Sequence, residues 1–239
     1  MKKRIVVTGG SGRFGSILKN LNTKHKIFFP SKKELNILNE NKIKKYLKKT
    51  KPKILIHLAG LSRPMDIHEK FITKSIDLNI IGTANITKAC YENNIKLIYF
   101  STHYIYEGKK GNYKETDPIF PVNNYAWSKL GGEASVKLYK NSLIIRACMT
   151  EKPFIHKAAF ANVKTSFVYH EDAAKILFKL LNVKGVINIG GKSQNIYDFV
   201  RKDNKDIKRR YLKKTDFSIP NNSSLNLLKL KNILKKNKI

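Results

Sequence analysis

The chain has 239 residues, 41% of them hydrophobic, which is enough for one sizeable core or for a domain with an appendage. Its longest apolar runs, such as residues 54–59, are much shorter than a membrane span, and the first residues lead straight into a strand pattern instead of a signal-peptide core. We therefore expect a cytoplasmic protein with no membrane partner.

Lysine and arginine give the chain a formal net charge of +31, which makes nucleic acid the first class of partner to consider. The lysines are spread over almost every predicted helix and loop, without the basic and aromatic alternation of a single-strand binding surface. We expect weak electrostatic association at low salt and no specific nucleic-acid binding. Cys90 and Cys148 lie in apolar stretches without the spacing of a metal site, so we expect buried thiols and no metal.

A glycine-rich segment follows the first predicted strand. Residues 4–8 form a short β-branched run, and the chain continues through three spaced glycines into the start of a helix. Gly9, Gly12 and Gly15 permit a tight turn, close approach of the backbone to a pyrophosphate, and close packing of the helix on the strand. Because a helix N-terminus favours phosphate groups, this arrangement predicts dinucleotide binding.

The second predicted strand, residues 25–29, should end near the adenosine ribose of such a cofactor. The acidic residue that usually holds the 2'-hydroxyl of NAD is missing there, and Pro30, Ser31, Lys32 and Lys33 follow instead. Lysines can meet a 2'-phosphate, so NADP(H) is the preferred cofactor and NAD(H) stays open.

Strand and helix patterns alternate along the next part of the chain. Further buried strands are predicted at 53–60, 95–100 and 143–146, with a long helix at about 71–91 and another beginning at Tyr125. This alternation predicts an α/β fold with a Rossmann-type, doubly wound parallel sheet. Ser101 and Thr102 follow the fourth strand, at the edge where such sheets place their ligands.

The helix from Tyr125 carries the chemistry. Tyr125 and Lys129 are four residues apart and share one helical face, with an asparagine ahead of them as the expected N-cap. A free tyrosine has a pKa of about 10, so it needs a neighbouring positive charge to exchange protons near neutrality. Tyr106 and Lys110 have the same spacing, but the glycines around them predict a turn.

These motifs together resemble the extended short-chain dehydrogenase/reductase family, and within it the dTDP-4-dehydrorhamnose reductases and related nucleotide-sugar reductases. The likeness covers nearly the whole chain, is dense over residues 6–146 and is loose over residues 149–211. The motifs that carry it are Thr8-Gly-x-x-Gly-x-x-Gly15, His57-Leu-Ala-Gly60, Asn79, Ser101-Thr-His-Tyr-Ile-Tyr-Glu-Gly108, Tyr113-Lys-Glu-Thr-Asp-Pro118, Asn124-Tyr-Ala-Trp-Ser-Lys-Leu-Gly-Gly-Glu133 and Ser223-Ser-Leu-Asn-Leu-Leu-Lys-Leu-Lys231.

The resemblance implies a role for each matching residue. Tyr125 would donate a proton to the sugar ketone, Lys129 would lower the pKa of Tyr125 and hold the nicotinamide ribose, and Thr102 would orient the ketone. Asn79 would support the active-site helix and a proton-relay water, or would be a buried structural asparagine. The residues that would contact the cofactor are Gly9, Ser11, Gly12, Arg13, Phe14, Gly15, Ser31, Lys32, Leu58, Ala59, Gly60, Tyr125 and Lys129.

Two departures from the family pattern bear on the reaction. His103 stands where the reductases commonly have aspartate, and His103 and Tyr104 stand where the sugar dehydratases carry an Asp-Glu pair. Dehydration needs a carboxyl acid and a base there, so the sequence argues against that activity. Asn36 replaces an aspartate that is usual near the adenine.

The expected organisation is an NAD(P)-binding domain over residues 1–148 and a short substrate-binding lobe over residues 149–239 that shares elements with it. The expected reaction is the NADPH-dependent reduction of a nucleotide-linked 4-keto-6-deoxy sugar. A 4-epimerase with tightly held NAD and a non-catalytic, cofactor-binding regulatory subunit remain as alternatives. The sequence leaves assembly as a homodimer open.

Overall fold

The computed structural model of the protein describes residues 1–213 and 219–236. The strands are β1 Arg4–Thr8, β2 Lys26–Phe28, β3 Ile54–His57, β4 Lys96–Thr102, β5 Ser142–Ala147, β6 Met149–Thr150, β7 Ala158–Phe160, β8 Lys164–Thr165, β9 Val168–Tyr169, β10 Gly185–Ile189, β11 Gln194–Asn195 and β12 Lys208–Arg210. The α-helices are α1 Arg13–Lys19, α2 Glu40–Thr50, α3 Ile67–Lys70, α4 Ile72–Ser75, α5 Gly82–Glu92, α6 Asn124–Lys137, α7 His170–Lys179, α8 Ile196–Val200 and α9 Leu228–Lys236.

The chain forms two compact units, each assembled from separate stretches of sequence. The first unit comprises Met1–Ser101, Trp127–Ile145 and Leu180–Val186. The second comprises Thr102–Ala126, Arg146–Lys179 and the described residues from Ile187 onward. The boundary expected from the sequence, at residue 148, stays a prediction.

The central sheet has six strands in the order β10-β5-β4-β3-β1-β2. Strand β1 pairs in parallel with both β2 and β3, so that Ile5 lies opposite Ile27 on one side and Ile54 on the other. All residues of β3 and β4 are buried, as is usual for inner strands of a parallel sheet, although Lys96, Ser101 and Thr102 of β4 are polar. The parallel order and the helical crossovers confirm the predicted Rossmann-type fold.

Each unit contains a cluster of buried hydrophobic residues among its described residues. In the first unit, Val6, Leu55 and Leu97 from the sheet pack with Ile43 of α2 and Ile86 of α5. In the second unit, the core contains Ala159, Val163, Ile196, Tyr197, Val200, Ile207 and Leu212. Short two-stranded ladders, β11-β8, β12-β7 and β6-β9, complete the described strands of the chain.

The long helix expected at about 71–91 is interrupted by a change of helical type. Helix α4 passes into a π-helix at Ile76–Ile81, and α5 begins directly after it. Wider turns of this kind occur mostly as short insertions and often at functional sites. The insertion places Asn79 in the π-helical segment, where its side chain is buried.

Both cysteines are buried thiols, as expected. Burial raises the pKa of the Cys148 thiol to about 12 and raises that of Cys90 as well. Neither is therefore a thiolate near neutral pH. Among the described residues, no helix is both long and apolar enough to span a bilayer.

Candidate active site

The glycine-rich turn between β1 and α1 is held by close backbone contacts in the first unit. Gly9 has φ +72°, and a Cβ atom added to it would lie 2.6 Å from the backbone nitrogen of Ala59. A Cβ on Gly15 would collide with the carbonyl oxygen of Gly9. A Cβ on Gly12, in contrast, would meet only that oxygen at 3.2 Å. Gly9 and Gly15 are thus required by packing, and Gly12 keeps backbone surface open for a ligand.

Thr8 and His57 join this turn to the end of β3. The Thr8 hydroxyl oxygen lies 3.3 Å from the backbone nitrogens of Leu58 and Ala59, and 2.7 Å from Nδ1 of His57. Because both backbone N–H groups donate to Thr8, its single hydroxyl hydrogen is left for His57 Nδ1. The other ring nitrogen, Nε2, lies 3.1 Å from the hydroxyl of Thr83 and so carries the ring hydrogen. Burial lowers the pKa of His57 to about 3, which keeps this network neutral.

Three predicted cofactor residues between the glycines face different surroundings. Ser11 and Arg13 are exposed, and the Arg13 guanidinium donates to the hydroxyl of Ser62 at 3.2 Å. Phe14 is buried, with its ring centroid 5.0 Å from that of Phe100. The side chain of Phe14 therefore belongs to the core, and only its backbone remains for the predicted contact with a pyrophosphate.

The segment after β2 contains a carboxylate that the sequence interpretation missed. The backbone N–H and the hydroxyl of Ser31 both donate to Glu34, at 2.8 and 2.9 Å. This backbone hydrogen bond, first, and the bond from the Ser31 side chain lower the pKa of the Glu34 carboxyl. Ser31 is therefore engaged locally, whereas the Lys32 side chain is exposed.

Asn79 connects the loop after β3 to helix α6. Its amide donates to the carbonyl oxygen of Leu61 at 2.9 Å and to the hydroxyl of Ser128 at 2.8 Å, and its carbonyl accepts from the Leu61 N–H at 2.7 Å. A Cβ on Gly60 would lie 2.6 Å from the Asn79 carbonyl oxygen, so Gly60 must be small for this contact. These bonds tie Asn79 to the loop after β3 and to Ser128, the residue before Lys129.

Helix α6 carries Tyr125 in its first turn and Lys129 one turn later. The Asn123 side chain accepts from the backbone N–H of Ala126 at 2.8 Å, which is the asparagine N-cap expected from the sequence. The Lys129 ammonium lies over the ring of Tyr99, 4.3 Å from the centroid, and the Tyr99 hydroxyl donates to the Lys129 carbonyl oxygen at 3.0 Å. Tyr99, from the buried strand β4, thus holds both ends of this lysine.

The pKa of Lys129 is the most informative electrostatic property of the helix. Burial lowers this pKa to about 7, and the carboxylate of Glu133, one turn further along α6, opposes the shift. Glu133 is itself buried. The lysine therefore titrates near neutral pH, which is typical of functional sites. Glu133 closes the sequence motif that begins at Asn124, and no role for it was predicted from the sequence.

Thr102 and Tyr125 belong to the second unit, together with an aromatic neighbour, Tyr104. The buried Thr102 hydroxyl accepts from the Tyr104 N–H at 3.2 Å and so caps the short 3-10 helix His103–Ile105. The hydrogen of this hydroxyl is left to donate. The ring of Tyr104 meets that of Tyr125 edge to face, with centroids 6.4 Å apart.

The predicted residues are therefore distributed over both units. The first unit holds the glycine turn, the end of β3, Asn79 and Lys129, and the second holds Thr102 and Tyr125. The residues that sequence reasoning missed are Thr8, Glu34, Tyr99 and Glu133. A polar or aromatic residue inside an otherwise apolar strand was the available signal for Tyr99.

The parallel sheet, the glycine turn and the Tyr-x-x-x-Lys helix define the class of extended short-chain dehydrogenases/reductases. The family model described as the RmlD substrate binding domain matches residues 2–150, more than half of the chain. The protein belongs to this family.

Individual relatives agree with this assignment. The chain is 30% identical over 152 residues to a dTDP-4-dehydrorhamnose reductase of Aggregatibacter actinomycetemcomitans, covering 62% of this chain and 51% of that protein. It is 29% identical over 143 residues to the methionine adenosyltransferase 2 subunit beta of Danio rerio, covering 56% of this chain and 43% of that protein. The chain thus spans about half the length of the curated relatives it matches.

A solved structure extends the likeness in fold to almost the whole chain. The dTDP-4-dehydrorhamnose reductase of Bacillus anthracis, solved in complex with NADP, superposes with a TM-score of 0.83 at 24% identity. The superposition covers 97% of this chain and 92% of that one. At this level of identity the similarity establishes the fold.

Proposed function

We propose that the protein is an NAD(P)-dependent oxidoreductase that reduces the ketone of a nucleotide-linked 4-keto-6-deoxy sugar. The observation that carries the proposal is Lys129 of α6, whose ammonium lies over the Tyr99 ring with its pKa lowered to about 7, one helical turn after Tyr125. The named reductase relative and the structure solved with NADP support the same reaction.

The glycine turn fits a dinucleotide. Gly12 is exposed and has space for a closely approaching group, while Gly9 and Gly15 hold the turn in shape. Gly9, Gly12 and Gly15, with Ser11, Arg13 and the backbone of Phe14, would hold the pyrophosphate, and Leu58, Ala59 and Gly60 would line the adenosine side. NADPH, when bound, supplies the hydride.

Side chains of the protein would donate the proton to the ketone oxygen and stabilise the negative charge that develops. Tyr125 gives its phenolic proton to the ketone oxygen as that oxygen gains electrons. The Lys129 ammonium stabilises the phenolate that remains, because an opposite charge nearby favours the ionised form. Thr102 uses its free hydroxyl hydrogen to orient the ketone oxygen.

The reaction is tested by following NADPH oxidation by the purified protein with a panel of nucleotide-linked 4-keto-6-deoxy sugars that includes dTDP-4-dehydro-L-rhamnose. We expect oxidation that depends on one sugar. Tyr125→Phe should reduce kcat by about 100-fold or more, while NADPH affinity, measured by fluorescence, stays near the wild-type value. Reduction of the sugar by Tyr125→Phe at the wild-type rate would show that another group donates the proton.

Cofactor preference is the second property to test. Lys32 is exposed in the segment after β2, and Lys33 is exposed beside it. Charge reversal of both residues, Lys32→Glu with Lys33→Glu, should weaken NADPH more than NADH, because only NADPH carries the 2'-phosphate. Reversal of the exposed Lys48 and Lys49 on α2 controls for the change in net charge. Equal losses for the two cofactors would remove the case for 2'-phosphate recognition.

A non-catalytic role is the second candidate, favoured by the matches to subunit beta of methionine adenosyltransferase 2. A protein with this role would bind the cofactor but would oxidise no NADPH in the presence of any sugar of the panel. The presence of Thr102, Tyr125 and Lys129 supports the reductase instead. Retention of NAD through purification, with interconversion of nucleotide sugars, would indicate a 4-epimerase.

A further inference from the structure

His103 is fixed in a single hydrogen-bonding state within the second unit. Its Nδ1 atom lies 3.0 Å from the carbonyl oxygen of Ala147. A carbonyl oxygen only accepts, so Nδ1 carries a hydrogen and donates it. In the neutral ring the other nitrogen, Nε2, is then an acceptor with a bare lone pair.

The Nε2 atom of His103 is buried and has no hydrogen-bond partner among the described residues. The side chain as a whole is 6% exposed. Burial lowers the pKa of His103 to about 4, although the bond to Ala147 opposes the shift, so the ring is neutral at physiological pH. A buried acceptor without a donor is destabilising, and such groups call for an explanation in function or in an unseen partner.

The acceptor atom, Nε2 of His103, belongs to a residue that adjoins two residues of the candidate site. His103 is the residue after Thr102 and lies in the same 3-10 turn, which the Thr102 hydroxyl caps. Its ring meets the edge of Tyr104 with centroids 4.5 Å apart, and Tyr104 in turn contacts Tyr125. Tyr104 is only partly buried, so this side of the His103 pocket lies next to a residue that reaches the surface.

We propose that His103 determines substrate specificity in the reduction proposed above, by accepting a hydrogen bond at Nε2 from a hydroxyl group of the sugar. This inference rests on the proposed function. A keto sugar offers a ketone oxygen, which can only accept a hydrogen bond, and hydroxyl groups beside it, which can donate one. Thr102 and Tyr125 are donors suited to the ketone, and His103 is an acceptor suited to a hydroxyl on the adjacent carbon. Together they match the hydrogen-bonding pattern of a hydroxyketone.

Two variants of His103 test the roles of its two ring nitrogens separately. The amide of His103→Asn reaches the position of Nδ1 and keeps a donor for Ala147, but it leaves nothing at the position of Nε2. The amide of His103→Gln reaches the position of Nε2 and offers an acceptor there. Each is compared on the hydroxyl-bearing sugar and on its analogue with hydrogen in place of the hydroxyl next to the ketone.

For His103→Asn we expect kcat/KM to fall by about 10- to 100-fold on the hydroxyl-bearing sugar and by less than about 3-fold on the deoxy analogue. His103→Gln should recover part of the loss. His25→Asn, which removes a partly buried histidine near the N-terminus, should leave both rates unchanged. Equal losses on the two sugars, or no loss on either, would overturn the proposal.

A binding measurement separates this inference from the proposed reaction. The ring nitrogens of His103 are followed by 15N NMR in the Tyr125→Phe variant while the hydroxyl-bearing sugar or its deoxy analogue is added. We expect the Nε2 resonance to move with the hydroxyl-bearing sugar alone. If the wild-type protein oxidises no NADPH but this resonance still moves, the sugar hydroxyl binds His103 Nε2 and the proposed reductase activity is wrong. A resonance that neither sugar moves would assign Nε2 to internal water and overturn the inference.

Discussion

The chemistry of Lys129 depends strongly on its surroundings. An exposed lysine has a pKa of about 10.4 and is fully charged near neutral pH. Burial lowers the pKa of this lysine to about 7. Since the ammonium is the form that stabilises a phenolate, the activity of the free enzyme should depend on pH across the neutral range.

The replacement Lys129→Arg tests this dependence. In the wild type we expect kcat/KM for the sugar to fall as the pH rises through about 7, because Lys129 loses its proton. Arginine stays protonated throughout this range, so the variant should lack this alkaline decrease, at a lower maximum rate. Rates measured from pH 5.5 to 9.5 give the comparison, with Lys137→Arg on the exposed side of the same helix as control. If kcat/KM of Lys129→Arg still decreases at alkaline pH as in the wild type, the decrease is caused by the titration of another group.

At the scale of elements, the glycine turn contains two kinds of glycine. Gly9 adopts a positive φ and leaves no room for a side chain against the backbone of Ala59. Gly12 has φ −76° and ψ 169°, which any residue can adopt, and it is exposed. A side chain at Gly9 should therefore affect the stability of the turn, whereas a side chain at Gly12 should affect ligand binding.

Gly9→Ala and Gly12→Ala are a matched pair for this separation. Gly9→Ala should lower the free energy of unfolding by at least about 2 kcal/mol, from the left-handed conformation and the backbone contact. Gly12→Ala should change it by less than about 0.5 kcal/mol but weaken NADPH binding about 10-fold or more. Urea unfolding and cofactor titration measure the two effects. Equal stability of the two variants would contradict this account of the turn.

At the scale of the whole molecule, buried neutral histidines make stability depend on pH. His57 and His103 have folded pKa values lowered to about 3 and about 4 by burial, whereas an unfolded histidine has a pKa of about 6.5. Below that value the unfolded chain binds protons that the folded protein does not. The stabilisation is therefore complete above about pH 6.5 and is lost as the pH falls towards the folded pKa values.

We expect each of these histidines to contribute about 2 kcal/mol of lost stability between pH 7 and pH 5. Urea unfolding at the two pH values measures the total, and the loss should be smaller by about that amount in His57→Gln. Replacement of the exposed His156 by glutamine should leave the difference unchanged. A wild-type loss that His57→Gln does not reduce would show that His57 is protonated in the folded protein.

Local features of the chain were determined by the sequence itself. The strand, glycine turn and helix at the N-terminus, the asparagine N-cap of α6 and the four-residue spacing of Tyr125 and Lys129 depend on residues that are near one another along the chain. Their conformations follow from backbone preferences and from a period of 3.6 residues. The Rossmann-type fold could be predicted from their order.

Other properties were decided only by the tertiary structure, because they arise between residues far apart in sequence. Tyr99 lies under Lys129 from 30 residues earlier, Asn79 reaches Ser128 across 49 residues, and Ala147 fixes the tautomer of His103 across 44 residues. Desolvation lowers the pKa of Lys129. The hydrogen bond to Ala147 leaves Nε2 of His103 as the acceptor nitrogen. A sequence pattern carries the residue types, but the burial that changes their chemistry exists only once the chain has folded.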